Sequence, residues 1–551
     1  MTYDPEKRVL TSRKFEEMME KQLLALGRIA DVFGDQDAID MAATACINGE
    51  NTTQVFWTWY NAVYDGTTTR YALLCRFAEL VATAWQNKTY GLQWYHYTQS
   101  SATEMTPTGD LAGKAAAQLC TEATTPVADW ADEDPMTWYI RANALSLADG
   151  TMNILAFEGE SDFDLTGETA PVYRFSLALY KRTFNDGAYN YKAFRTKPAL
   201  GFEPMAGDIS PAGTRRPVTW QPCFGGGMNT AGKLTSGVGR KPYIFASATD
   251  GNTKAKLWNS YEGLWTDCES IWLLDMWQLR HFNMENSGIC EGCTSYDIAK
   301  KAAVSETGVK RVVLNTSDAS GFLVGSAVSI GSSSRASGNS IYKITSITDV
   351  TISSTAYKAI NLDVPDGSEF DTTAATTYIS TVPWFSGATE ALPGHKDGCI
   401  NSLTAGKGPA RIAGVEILDG AYVLQLDPLM NVTSVNSDGA VYDLYVQRNS
   451  ENLASAVTNY TKVGSVTVPI CNNAPSSGEW IYVKQLLDNK EVMFPDQFAG
   501  DASSTKYLKS AFIRAASAGV RAPWRFGSLY SGGYAGLACL DGDNGPGGSN
   551  W

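Results

Sequence analysis

The sequence predicts an α+β, multidomain protein with a helical N-terminal region over 1–125, a β-rich middle over 126–225 and a mixed C-terminal unit over 226–551. A small β module over 306–383 is inserted in the last of these. Three observations lead there. The chain has 551 residues, which at ~150 residues per domain is enough for three to four units. Its apolar spacing changes from three-to-four to alternating near Asp129. Its composition, 44% apolar against 19% charged with 15 Trp and 26 Tyr, is that of packed cores and not of a disordered polymer.

Phe15, Met18, Met19, Leu23, Leu26, Ile29, Ala30 and Phe33 recur at helical spacing with charged residues between them, which predicts an amphipathic helix. Asp37–Ile47, Gln54–Tyr64 and Arg70–Trp85 repeat the habit between Asn and Gly turns. Aromatic and β-branched runs follow at Met136–Ile140, Asn153–Phe157, Val172–Tyr180 and Tyr189–Phe194, each predicting a strand. Gly225-Gly-Gly-Met opens a junction, after which Asp267–Met284 reads as a strong helix. Residues 306–383 alternate β-branched runs with Gly/Ser turns, as a self-contained β module does. Beyond Pro383-Trp384 come short strands, a helix expected at Tyr507–Ala518, and a last stretch of Gly, Ser, Asn and Asp.

Fifty-eight acidic residues against 44 basic ones leave a net charge of −14, which repels phosphate backbones and anionic membrane and disfavours nucleic acid as a partner. No apolar core follows the opening Met1-Thr-Tyr-Asp-Pro, and no stretch approaches the ~18 apolar residues of a membrane span. The expectation is a chain kept soluble in a cytoplasm, without membrane insertion, its ten Cys mostly reduced core residues. No G-x-S-x-G, G-x-G-x-x-G, Walker or H-E-x-x-H motif occurs. His96 and His281 read as structural and His395 as a loop residue. Cys290-Glu-Gly-Cys293 lacks the second pair a zinc site needs and reads as a turn with two partly buried thiols. Asp162-Phe-Asp begins like a calcium loop, but Tyr173 holds the twelfth position. These features predict no metal, no cofactor and no enzyme active site.

The stretch Phe526–Asn550 contains no Lys, Glu, Gln, Met or Trp, yet carries Phe526, Tyr530, Tyr534 and several aliphatic residues between Trp524-Arg525 and Trp551. Tyr, Ser, Gly, Asn and Asp are the residues of adaptable binding loops. Arg525-Phe-Gly-Ser-Leu-Tyr-Ser-Gly-Gly-Tyr-Ala-Gly-Leu-Ala-Cys-Leu-Asp-Gly-Asp-Asn-Gly-Pro-Gly-Gly-Ser-Asn-Trp551 resembles the variable region of proteins diversified by retroelements at phage tail-fibre tips. That family mutates adenines in Asn codons ending in a pyrimidine, which never yields the five missing residue types. Glu491–Tyr507, Arg411–Gly420 and Gly263–His281 resemble the family's C-type-lectin-like domain, shared with formylglycine-generating enzymes. Phe526 and Leu529 depart from the pattern, standing where Gly and Trp are usual.

The resemblance implies a C-terminal C-type-lectin-like fold whose variable, ligand-binding positions are Phe526, Ser528, Tyr530, Ser531, Tyr534, Ala538, Asp541, Asp543 and Gly548. Arg525, Gly527, Gly536, Leu537, Pro546, Asn550 and Trp551 are implied scaffold. Variable side chains are then expected to point to solvent, with Tyr530 and Tyr534 as anchors. The implied protein is a homotrimeric receptor-binding adhesin of a virion tail fibre, assembled in the bacterial host cytoplasm. Its C-terminal face binds a host-cell surface receptor, protein or glycan, and its N-terminal region contacts other tail proteins. Three alternatives stand beside it: a disordered Gly/Ser tail, a structural virion protein without receptor binding, and an oxidase of the formylglycine-generating type. The last needs paired cysteines, and Cys539 has only the distant Cys471.

Overall fold

The computed structural model of the chain describes residues 36–47, 52–124, 138–400, 406–470, 478–487, 490–499 and 507–550. The helix expected at 15–33 lies outside them. The described residues mix helices with several mainly antiparallel sheets.

Among the described residues three helices come first: α1 (Gln36–Ile47), α2 (Thr52–Val63) and α3 (Arg70–Ala84). The Thr69 hydroxyl accepts the Ala72 N–H and starts α3. Phe56 of α2 places its ring 5.2 Å from Phe77 of α3, 5.3 Å from Phe157 and 6.1 Å from Trp138, so the helices pack directly onto the sheet that follows. That sheet orders Met152–Phe157, Tyr139–Ser146, Val172–Leu177 and Val218–Pro222, all antiparallel.

The first 125 residues are not helical throughout. Tyr90–Tyr95 and Thr106–Gly109 are strands that pair with each other, and Tyr90–Tyr95 pairs onward with Tyr189–Arg195. Tyr90, Gly91 and Leu92 are all buried, with the Tyr90 and Leu92 side chains in the main core. Gly91 lies so close to Thr108 that a Cβ there would fall 2.2 Å from its hydroxyl oxygen. The division expected at 125 therefore cuts through a sheet.

Helix α4 spans Ala248–Ala255, and helix α5 spans Asp267–His281. Thr266 and Glu269 form a reciprocal capping box at the start of α5. The helix ends three residues earlier than its apolar spacing predicts, because Phe282 turns to φ 49°. Arg174, 2% exposed, stacks between Tyr139 at 4.9 Å and Trp272 at 4.4 Å, fastening the middle sheet to α5 through cation–π contacts.

The inserted β segment builds a six-stranded sheet that begins at Ala299–Lys301 and ends at Tyr378–Val382. Val312, Leu314, Ile344, Ile360 and Ile379 form its own buried cluster, separate from the main core. Ala299 pairs with Ser380, so the chain enters and leaves side by side, as an insertion requires.

The last sheet runs Val423–Leu424, Trp524–Arg525, Leu540–Asp541, Ala511–Arg514, Glu479–Leu486, Pro495–Phe498. The helix expected at Tyr507–Ala518 is replaced by the strand Ala511–Arg514, paired with Glu479–Tyr482 on one side and parallel to Leu540–Asp541 on the other. Tertiary pairing overrides an Ala-rich propensity here. Among the described residues, no helix is long and apolar enough to cross a membrane.

Ile360 is fully buried in the second cluster. Ile360→Ala is expected to cost about 2–5 kcal/mol. Hydrogen exchange should show faster amides across 302–379 while α5 keeps its protection.

Candidate ligand-binding surface

The C-terminal segment begins on a buried ion pair. Asp267, the first residue of α5, is fully buried, and its Oδ1 accepts Nη2 of Arg525 at 2.6 Å. Its Oδ2 accepts the backbone N–H of Met493 at 2.8 Å. Arg525 Nε donates to Gln425 Oε1 at 3.1 Å, and Gln425 donates in turn to the Ser270 hydroxyl at 2.9 Å. Burial raises the Asp267 carboxyl above its ordinary range, and Arg525 pulls it back.

From Arg525 the chain weaves through the interior. Phe526 takes φ 70° and Gly527 φ 91°, and the Phe526 ring meets Trp265 edge-on at 6.2 Å. Leu529 donates its N–H to Gly420 O at 3.0 Å and accepts from Tyr296 N at 2.9 Å. Ser528 N donates to the Ser531 hydroxyl at 2.8 Å. A short turn at Gly532–Tyr534 follows, anchored by Gly532 N to Thr294 O at 2.7 Å. Gly536 N closes back on Phe526 O at 3.0 Å, and Leu537 N donates to the Asn286 side chain at 2.9 Å. A Cβ on Gly536 would lie 2.3 Å from the Ser510 hydroxyl, so this crossing needs glycine. Pro546 O accepts from Thr249, and Ser549–Asn550 pairs with Ala246–Ser247.

The stretch is therefore an ordered wall of the C-terminal unit, and the disordered-tail alternative fails for residues 526–550. The expectation that all nine variable positions face solvent also fails. Phe526, Ser528, Ser531, Ala538 and Asp541 are buried, each at 5% exposure or less. They were placed outward because the resemblance makes them variable and random side chains need solvent, but here these residues serve close chain crossings and packing. Tyr530 is the exposed one, at 44%, while Tyr534, Asp543 and Gly548 are half-buried. Arg525, Gly527, Gly536, Leu537 and Pro546 are interior. Asn550 lies at the end of the last strand, and Trp551 is outside the described residues.

What reaches the surface is a pair of tyrosines, Tyr530 and Tyr534, each braced by other rings. Tyr534 stacks on Trp480 at 5.2 Å with planes 9° apart, and on Tyr482 at 5.6 Å. Tyr530 meets Tyr422 edge-on at 6.5 Å. Trp480, Tyr482 and Tyr422 were missed from sequence, although the alternation in Glu479-Trp-Ile-Tyr-Val already set Trp480 and Tyr482 on one face. Rings braced in this way lose little entropy on binding.

Among the remaining sequence candidates, His281 and the described cysteines at 290, 293 and 539 fall within the core. His281 Nδ1 lies 2.8 Å from Ala117 O and its ring packs on Trp277. Cys290 and Cys293 are fully buried rather than partly so, because the turn folds under Leu418, whose carbonyl accepts Cys293 N–H. The Asp164 carboxylate accepts the backbone N–H of Thr166, Glu168 and Thr169 as a turn does. Cys539 is buried, and burial pushes its thiol well up; Cys471 lies outside the described residues. Among the described residues, no group of three His, Cys, Asp or Glu side chains is placed to hold a metal ion. No protein-family model matches the chain, and no curated protein is similar to it.

Arg525→Met leaves a buried carboxylate unpaired and is expected to cost about 3–5 kcal/mol in urea unfolding. Adding Asp267→Leu should recover most of that loss. Asp541 gives a pH test. Burial raises its carboxyl from 3.8 to about 6, so the folded state holds the proton more tightly than the unfolded chain. The stabilisation from that proton is complete below the unfolded value and is lost as pH rises through about 6. Asp541→Asn should therefore gain on the parent, by at most about 3 kcal/mol, between acidic and neutral pH.

Proposed function

We propose that this chain is a non-enzymatic receptor-binding protein of a phage tail whose C-terminal segment is diversified by a retroelement. The observation that carries the reading is the residue bias of 526–550, from which Lys, Glu, Gln, Met and Trp are all missing. The braced tyrosines supply a chemical reason for such a segment to bind. Tyr530 and Tyr534 offer large, stiff, amphipathic area, with Asp543 and Gly548 the other diversified positions that reach solvent. The receptor face is accordingly narrower than nine positions, and the buried ones act by setting the path of the chain.

On this reading the C-terminal unit is C-type-lectin-like, with 306–383 inserted in it, and the N-terminal region joins the chain to other tail proteins. A homotrimer would convert a weak single-site affinity into avidity, and light scattering at micromolar concentration should give the trimer mass. A structural virion protein is the competing reading, and adhesion separates the two.

The decisive observation is genomic: a reverse transcriptase gene close by and an adenine-rich near-copy of the codons for 524–551. Sibling sequences that vary evenly along the chain would sink the proposal. In binding to host cells, Tyr530→Ser with Tyr534→Ser is expected to cost about 2 kcal/mol per anchor, while circular dichroism stays unchanged.

A further inference from the structure

A second cleft lies away from the C-terminal segment, between the sheet that contains Tyr90–Tyr95, helix α5 and the strand Glu479–Leu486. It encloses about 280 Å³, near the low end of the ~300–1,000 Å³ of small-molecule sites. None of its lining residues belongs to 526–551.

Strand pairing sets Trp94 opposite Asn190 and Leu92 opposite Lys192, so Trp94, Asn190 and Lys192 share the face toward α5. Lys192, 9% exposed, donates to Asp275 at 2.5 Å and to Gln278, both on one flank of α5. Its ammonium sits 5.8 Å from the centre of the Trp94 ring. Lys181 reaches Asp275 from the neighbouring strand at 2.7 Å. Lys484 closes the opposite wall, over the Tyr507 ring at 5.4 Å.

The charge balance is unusual for this molecule. The cleft is lined by Lys181, Lys192 and Lys484 against a single carboxylate, Asp275, inside a chain whose net charge is −14. An anion is attracted to this cleft and repelled from most of the remaining surface. Asn190 and Thr183 add groups that both donate and accept, which suits hydroxyls, and Trp94 offers a flat apolar face. The described lining has no arginine fork, and α5 presents its middle turns rather than its N-terminus, so the features that favour phosphate are missing.

We propose that this cleft binds an acidic sugar residue, its carboxylate met by Lys484 and Lys181 and its ring lying against Trp94. The site is independent of the diversified face. Calorimetry on the full chain tests it with three probes: a glucuronate-containing tetrasaccharide, a neutral glucose tetrasaccharide and a nucleoside monophosphate. The acidic sugar is expected to bind roughly tenfold more tightly than the neutral one and to weaken as salt rises. Lys484→Gln, at a half-buried wall position, should lower that affinity severalfold, and Asn190→Ala should lower it as well, while Tyr530→Ser leaves it unchanged. Equal affinity for the two sugars, tighter nucleotide binding, indifference to both cleft variants, or no binding at millimolar probe overturns the proposal. Loss of host adhesion in Tyr530→Ser with sugar binding intact would separate the two sites.

Discussion

The ion pair between Asp267 and Arg525 joins the first turn of α5 to a strand 258 residues later, and the C-terminal architecture is hung on it. Removing both charges from water costs several kcal/mol per ion, which their attraction offsets only when the other lone pairs and protons are also satisfied. Here Met493 N–H takes the second carboxylate oxygen and Gln425 takes Arg525 Nε, while the buried Arg525 Nη1 has no hydrogen-bond partner among the described residues. The pair therefore fixes three segments at once: the start of the helix, the strand at Trp524–Arg525 and the backbone around Met493. A shift of α5 by one turn would leave both ions buried and unmatched.

That anchoring explains how a glycine-rich segment is held in one path. With Arg525 fixed, Phe526 and Gly527 both take positive φ and send the chain under Gly420, after which Gly536 returns it to Phe526. Each crossing brings backbones to within hydrogen-bond distance, which leaves no room for larger side chains. On the proposed reading, a diversified segment built this way would vary under two regimes. Tyr530 and Tyr534 would accept many replacements because their side chains reach solvent, whereas a change at Phe526 or Ala538 would act on packing. A randomising mechanism that cannot produce Lys, Glu or Gln would spare such interior positions three long polar side chains that are rarely buried.

Much of the helical structure was legible because its signals are local. The apolar spacing of Asp267–Met284 placed α5, and that of Arg70–Trp85 placed α3, with errors of one to three residues at their C-terminal ends. What failed depended on partners remote in sequence. Ala511–Arg514 is a strand only because Glu479–Tyr482 and Leu540–Asp541 lie on either side of it. Tyr90–Tyr95 is a strand because Tyr189–Arg195 pairs with it across nearly a hundred residues. At the C-terminal surface, composition singled out a stretch but not its exposed members, since Gly and Ser look alike in a solvent loop and in a close crossing.

The distribution of arginine carries the charge argument further. Arg141, Arg174, Arg411, Arg514 and Arg525 are among the largest fully buried side chains. Four of them are paired with Glu158, Glu390, Glu479 or Asp267, and Arg174 is held by Gln221 and two aromatic rings. The planar guanidinium suits such sites because it donates in a fixed fork and stacks on rings. Each of the four ion pairs is close to neutral, so the chain's excess of acids is left to the shell around them. Against that shell the Lys181, Lys192 and Lys484 cleft is a local reversal of sign. Lys181 and Lys192 both pair with the one buried carboxylate of Asp275, and Lys484 stands on the opposite wall. The surplus positive charge is what a bound carboxylate would neutralise.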